Sequence, residues 1–202
     1  MILGITGSSG AGKSTICEIL ESEYTVKIIN ADKIAKKLSQ KGTSYMRDII
    51  TKFGPDIVDE EGNLKRKKLA QIIYSDAEKR KELNNCTFKY IKKEIENQIQ
   101  LTQRKEANTT IMIDAPLLFE CKLDKLCDKV IGVISKRELQ IERIVARDDI
   151  DYETAEKRLN AQESNDFYLR RCDVIIENNN NIGAMEKEIK KIAEECGMVK
   201  KY

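Results

Sequence analysis

The 202 residues carry 36 basic and 34 acidic side chains, a net charge of +2, with 35% of the chain charged and 41% hydrophobic. That is the balance of a soluble globular protein with room for one sizeable core and a small inserted subdomain. No apolar run approaches the roughly eighteen residues a membrane span needs, and the opening MILGITGSSG lacks a basic flank and a long apolar centre, so the expectation is a cytoplasmic protein with no membrane association. Histidine is absent, which excludes Ser-His-Asp and Cys-His sites, His-bearing zinc sites and imidazole bases; any general base is a carboxylate, Lys, Tyr or Cys.

In chain order, the first strand is Ile2–Thr6. It runs into Gly7-Ser8-Ser9-Gly10-Ala11-Gly12-Lys13-Ser14, a full G-x-x-x-x-G-K-S match, and a helical run over residues 15–21 follows from Thr15. Glycines let the backbone curl with its N–H groups inward, and the next helix presents the positive end of its dipole, so together they hold phosphate oxygens. Lys13 adds a movable cation for the β- and γ-phosphates, and the Ser14 hydroxyl is placed to ligate Mg²⁺. This is a P-loop, and it implies a nucleoside triphosphate such as ATP.

The second strand spans 25–29 and leads to Asn30-Ala31-Asp32. Asp32 leaves the carboxyl edge of the sheet, where open α/β sheets bind ligands. Two readings stand on the residues alone: Asp32 accepts the proton of an attacking hydroxyl, or it N-caps a helix beginning near Lys33. Residues 33–105 then lack a convincing strand and carry 18 basic against 10 acidic side chains, a net of +8, leaving −6 for the remainder. Helical stretches at Ser44–Phe53, 67–74 and 77–101, with a turn at Glu61-Gly62-Asn63, read as an insertion. Its clusters Lys65-Arg66-Lys67-Lys68 and Lys79-Arg80-Lys81 are either solvated helix faces or an anion-attracting surface.

The third strand, Thr110–Asp114, ends in an acid after an apolar run, the Walker B pattern, and Asp114 is expected to order Mg²⁺ or its water shell. A fourth strand, Lys129–Ile134, precedes a helical excursion over 136–171. There Arg143 and Arg147 lie four apart and project from one helix face. They either clamp the transferring phosphoryl group or pair at the surface with Glu142 or Asp148. A fifth strand over 173–176, an Asn-rich loop at 178–181 and a helix over 184–195 capped by Gly197 close the chain. The six cysteines form no C-x-x-C pair and read as reduced, mostly buried hydrophobes, with a disulfide framework or Cys-only metal site as the alternative.

The fold class is therefore α/β: a parallel five-stranded sheet with flanking helices, plus a helical insertion and a helical lid. The domain reading assigns 1–32, 106–135 and 172–202 to the nucleotide-binding core, 33–105 to the insertion and 136–171 to the lid. A regulatory GTPase is disfavoured: no Asn-Lys-x-Asp segment occurs, and the nominal Asp-x-x-Gly at Asp59 to Gly62 sits in a polar turn. No nucleic-acid-binding module is recognised.

Taken together, the chain resembles the dephospho-coenzyme A kinase family. The matching stretches are Ile5-Thr6-Gly7 through Ser14-Thr15, Asn30-Ala31-Asp32-Lys33-Ile34-Ala35, Phe53-Gly54-Pro55-Asp56-Ile57 and Gly62-Asn63-Leu64-Lys65-Arg66. They continue through Asp114-Ala115-Pro116-Leu117-Leu118-Phe119-Glu120, Gln140 with Arg143 and Arg147, Arg158-Leu159-Asn160-Ala161-Gln162, and Cys172-Asp173-Val174-Ile175-Ile176-Glu177-Asn178. The resemblance implies transfer of the ATP γ-phosphate to the 3′-hydroxyl of dephospho-CoA, the last step of coenzyme A biosynthesis, with another small-molecule P-loop kinase as the alternative. It implies Asp32 as the base, Lys13 and the loop amides as the ATP cradle, Asn178 as a contact near adenine, and the insertion as the acceptor subdomain. The sequence departs from the family pattern at Phe88-Lys89, where a His-Pro pair is usual, and at Tyr168-Leu169, where the usual basic pair is displaced to Arg170 and Arg171.

Overall fold

In the computed structural model, which describes residues 1–106, 108–179 and 181–201, the five expected strands form one sheet. They are β1 (Ile2–Thr6), β2 (Val26–Asn30), β3 (Thr110–Asp114), β4 (Lys129–Ile134) and β5 (Val174–Glu177), in the order β2-β3-β1-β4-β5. β1 runs parallel to both β3 and β4, and β4 parallel to β5; Ile5 stands opposite Asp114, and Thr6 opposite Gly132. All of β3 and nearly all of β1 are buried, the condition under which parallel strands read as continuous apolar runs without alternation. The strand order reverses beside β1, so the chain leaving β1 emerges at a topological switch point.

Two strands begin one residue later than their sequence pattern suggests, for a local reason in each case. Thr25 donates its N–H to Val199 O at 2.7 Å, and the Asp173 carboxylate accepts from Val130 N at 2.7 Å. Each residue still makes one backbone bond to the neighbouring strand, Thr110 N donating to Thr25 O at 3.3 Å and Asp173 N to Val130 O at 2.9 Å, so the entrance is fixed just ahead of the regular ladder.

Helices α1 (Lys13–Glu23) and α9 (Ile182–Glu195) cover the sheet. Ile16, Cys17 and Leu20 from α1 and Met185, Ile189, Ile192 and Ala193 from α9 share one buried cluster with Leu3, Ile5, Met112, Ile131 and Val133. Their spacing of three and four residues is that of a helix with one apolar face. Asn181 caps α9 by accepting from Ala184 N at 3.0 Å, which starts the helix two residues before the apolar pattern does. At the other end, Gly197 at φ +60° lets Gly197 N reach Glu194 O and Met198 N reach Ala193 O. This is a Schellman closure, with Met198 and Ala193 both buried.

The described chain divides into two compact units, residues 30–100 and the remainder. The larger unit holds the sheet and the 136–171 excursion, which is three helices: α6 (Arg137–Asp148), α7 (Tyr152–Asn160) and α8 (Asn165–Arg171). α6 and α7 pack through Ile141, Ile144, Ala155 and Leu159. The second unit contains α2 (Ala31–Leu38), α3 (Ser44–Phe53), α4 (Arg66–Ser75) and most of α5 (Ala77–Lys105), so it starts and ends slightly earlier than the 33–105 insertion. Its own core is Tyr45, Met46, Ile49, Ile57, Leu69 and Cys86. In the expected turn, Asp59 Oδ1 accepts from Glu61 N and Asn63 N at 3.0 and 2.8 Å, closing an isolated bridge between Val58 and Leu64. Position 180 of the Asn-rich loop lies outside the described residues. Among the described residues, no helix is long and apolar enough to cross a membrane.

Gly197→Ala forces a left-handed conformation on an L-residue at about 1 kcal/mol, so the melting temperature is expected to fall by roughly 2–4 °C for a chain of this size. Burial, reinforced by nearby acids, pushes the Cys17 and Cys127 thiols up to about 12. Their protons are held more tightly in the folded chain than in the unfolded one, so their contribution to stability is complete below about pH 9 and is lost as pH rises toward 12. Urea denaturation across that range should show a shallower loss of stability in a Cys17→Ala/Cys127→Ala variant than in the parent.

Candidate active site

The loop between β1 and α1 is shaped by what its glycines leave out. A Cβ on Gly7 would stand 2.2 Å from Val133 O, and one on Gly12 would stand 2.0 Å from Asn178 Nδ2. Gly12 also takes the left-handed conformation, φ +101°, that turns the chain into α1, and it offers no side chain to satisfy the first N–H groups of that helix. Those donors and the dipole end face the loop's concavity, an arrangement suited to phosphate oxygens. Lys13 folds back so that Nζ donates to Gly7 O at 2.5 Å and Ser8 O at 3.2 Å, which holds its charge over the loop. Ser14 and Thr15 follow on the exposed side of the first turn of α1.

Four consecutive loop residues are gripped by side chains from far along the chain. Gln140 Nε2 donates to Ser8 Oγ at 2.6 Å, and Ser9 N donates to Gln162 Oε1 at 2.7 Å. Arg143 Nη1 donates to Gly10 O at 2.9 Å, and Asn178 Nδ2 to Ala11 O at 3.0 Å. Gln140 and Gln162 are functional candidates that the residue-by-residue reading missed. Both lie inside the family-like segments, but no spacing rule links a glutamine to a loop so distant in the sequence. They also line, with Ser8, Asn160, Asn165 and Asp166, a cavity of about 420 Å³.

The two arginines of α6 do different work. Arg143 donates to Ser135 Oγ at 3.2 Å and to the Asn178 carbonyl at 3.0 Å as well as to Gly10. These acceptors are neutral, and burial lowers the Arg143 pKa. Arg147 does pair with Asp148, through Nε to Oδ1 and Nη2 to Oδ2, both at 2.8 Å, and its Nη2 also reaches Ser9 Oγ at 3.2 Å. Asn178 stands at the exit of β5, against Ala11 and Gly12 of the loop.

Asp114 is buried at the end of β3. Its charge is second only to burial in raising the Cys17 thiol, while that of Lys13 lowers it, so both charges act on the same turn of α1. Asp32 belongs to the second unit, where it is exposed in the first turn of α2. The helix cap is Asn30, whose Oδ1 accepts from Lys33 N at 2.8 Å. The capping reading of Asp32 is thus corrected: the chain offers a cap two residues earlier, and among the described residues the Asp32 carboxylate has no hydrogen bond or ion pair. A carboxylate in a first turn is favoured by the helix dipole.

The two departures from the family pattern have physical contexts of their own. Lys89 lines a cavity of about 400 Å³ in the second unit with Asp48, Lys52 and Cys86. Tyr168 is buried, and the ring of its neighbour Phe167 makes an edge contact with Phe119 at 5.6 Å. The Arg171 guanidinium stacks over Phe119 at 4.4 Å and Phe167 at 5.0 Å, tying the segment after β3 to α8.

The model of the dephospho-CoA kinase family matches residues 1–184. A dephospho-CoA kinase from Fusobacterium nucleatum is 41% identical, over 96% of this chain and 97% of that one. A solved dephospho-CoA kinase from Campylobacter jejuni superposes with a TM-score of 0.69 at 31% identity, over 96% of both chains. A crystal structure from Thermus thermophilus shares the fold with a TM-score of 0.80 at 24% identity, over 96% of this chain and 97% of that one. A P-loop on a five-stranded parallel sheet, with family-like segments in order along nearly the whole length, places the chain in the dephospho-CoA kinase family.

Proposed function

We propose that this chain transfers the γ-phosphoryl group of ATP to the 3′-hydroxyl of dephospho-CoA, giving CoA and ADP, with Asp32 as the general base and the loop from Gly7 to Thr15 as the triphosphate site. The observation that carries the reading is the Lys13 ammonium held over a glycine loop at the sheet's switch point. The acceptor hydroxyl attacks the γ-phosphorus, its proton passes to the Asp32 carboxylate, and the bond to the β–γ bridging oxygen breaks to release ADP. In a chain without histidine, a carboxylate is the fitting base for that proton. Lys13, Arg143 and Arg147 supply positive charge around the transferring group, with Arg143 acting from its place against Gly10 and Asn178. Asn178 borders the end of the nucleotide nearest the base.

Ser14 and Asp114 offer hard oxygen donors and would hold Mg²⁺, which when bound neutralises charge on the β- and γ-phosphates. The basic 33–105 segment suits an acceptor that carries a pyrophosphate, and the helices over 136–171 would exclude water from the reacting centre. Six cysteines in a thiol-handling enzyme fit the reducing cytoplasm.

The test is mass-spectrometric detection of CoA from dephospho-CoA, ATP and Mg²⁺, beside a panel of nucleosides and nucleotides as acceptors. Product only from another acceptor would assign the chain to a different small-molecule kinase reaction. Asp32→Asn should lower kcat by about 10²–10⁴-fold while leaving the KM for ATP near its parent value, the range expected on losing a general base. Lys13→Ala should depress kcat and raise the KM for ATP together. Lys67→Ala, on the exposed surface of α4, should raise the KM for dephospho-CoA with kcat nearly unchanged; an unaltered KM would remove the basic segment from acceptor binding.

A further inference from the structure

Asp148 is the last residue of α6, and Asp149 and Asp151 follow it closely. A carboxylate at this position opposes the negative end of the helix dipole, and two more acids add repulsion. Helix stability therefore does not explain it. Two guanidinium groups do: Arg147 bonds it through both Nε and Nη2, and Arg158 Nη1 bonds the same Oδ2 from α7. These pairings hold the Asp148 carboxyl down at about 2, so it stays ionised. The arginines stand on two helices fixed against each other by Ile141, Ile144, Ala155 and Leu159, and Arg147 already touches Ser9 of the loop. Among the described residues, Arg147 Nη1 and the Nε and Nη2 groups of Arg158 have no partner.

We propose that Asp148 is a positioning residue that gathers Arg147 and Arg158 into a two-guanidinium clamp beside Ser9, and that the clamp takes the β- and γ-phosphoryl oxygens of the triphosphate with Arg158 as its second arm. This rests on the reading of Arg147 as a nucleotide contact. One edge of each guanidinium is spent on the carboxylate and the other edge is left for an anion, so the fork is oriented before the ligand arrives and less side-chain freedom is lost on binding. Without the carboxylate, the two cations would repel each other and splay apart.

Kinetics of the whole enzyme bearing Asp148→Asn, Asp148→Glu, Arg158→Ala, Arg147→Ala and the Asp148→Asn/Arg158→Ala pair test this. Asp148→Asn is expected to raise the KM for ATP about tenfold and lower kcat several-fold. Inhibition by AMP, which lacks the β- and γ-phosphates, should not change. Because the substitution is isosteric and removes a charge unfavourable to α6, the melting temperature should stay within about 2 °C of the parent value, as for exposed ion pairs generally. Asp148→Glu should recover most of the ATP KM, and the double variant should be no worse than Arg158→Ala, since both changes dismantle one clamp. An unchanged or lowered ATP KM in Asp148→Asn, full additivity in the double variant, or an equal weakening of AMP would overturn the proposal. If Arg147→Ala leaves the ATP KM unaltered, the underlying reading of Arg147 fails. If Arg147→Ala raises it while Asp148→Asn is silent, the proposal fails and the reading of Arg147 as a nucleotide contact stands.

Discussion

The phosphate loop depends on close approach at its glycines. Gly7 abuts the Val133 carbonyl, Gly12 the Asn178 amide, and a Cβ on Gly10 would stand 2.5 Å from Gln140 O. The loop is thereby wedged between the exit of β4, the first turns of α6 and the exit of β5. A loop so held keeps its shape without help from a ligand, and preorganised dipoles stabilise developing charge more effectively than groups that must first reorient. The bonds from Gln140, Gln162, Arg143 and Asn178 exist because that wedge brings their side chains within reach.

Legibility in the sequence followed the range of the forces involved. β1, β3 and β4 could be bounded to the residue because burial on both faces writes a nearly continuous apolar run. The loop could be read because its chemistry is local, contained in the short stretch from Gly7 to Ser14. Helix starts were less certain for an equally local reason: Asn30 and Asp32 are both capping residue types two positions apart, and only the geometry selects Asn30. The excursion over 136–171 showed as helical, but its division into three helices turns on Asp149 at φ +51° and on the caps Asp151 and Ser164, which periodicity does not report. The grip on the loop was least legible, because each of its bonds joins residues that only the sheet order brings together.

The position of the displaced basic pair follows from packing. Tyr168 occupies a buried site in α8, a place where a charged side chain would have to leave water. One turn later, Arg171 keeps its charge by lying over Phe119 and Phe167, where aromatic faces partly replace hydration. The segment Asp114-Ala115-Pro116-Leu117-Leu118-Phe119-Glu120 is thus fixed at both ends, by the β1 pairing at Asp114 and by this stack at Phe119. A family-specific run of sequence corresponds here to a physical bridge between the acid at the end of β3 and the last helix of the excursion.

Arg143 and Arg147 show why spacing on a helix face does not fix what a side chain does. Both project from α6 toward the loop, yet Arg143 ends among carbonyl oxygens and is partly desolvated, whereas Arg147 ends against a carboxylate and stays largely exposed. Moving Arg143 would strip acceptors at Gly10 and Asn178 of their donor, and leaving part-buried polar groups without a partner costs stability. Arg147 faces no such penalty, since its partner is solvated and a phosphate oxygen can replace water at its free edge. The same helix therefore supplies one arginine that holds the loop in shape and one that can respond to what the loop binds.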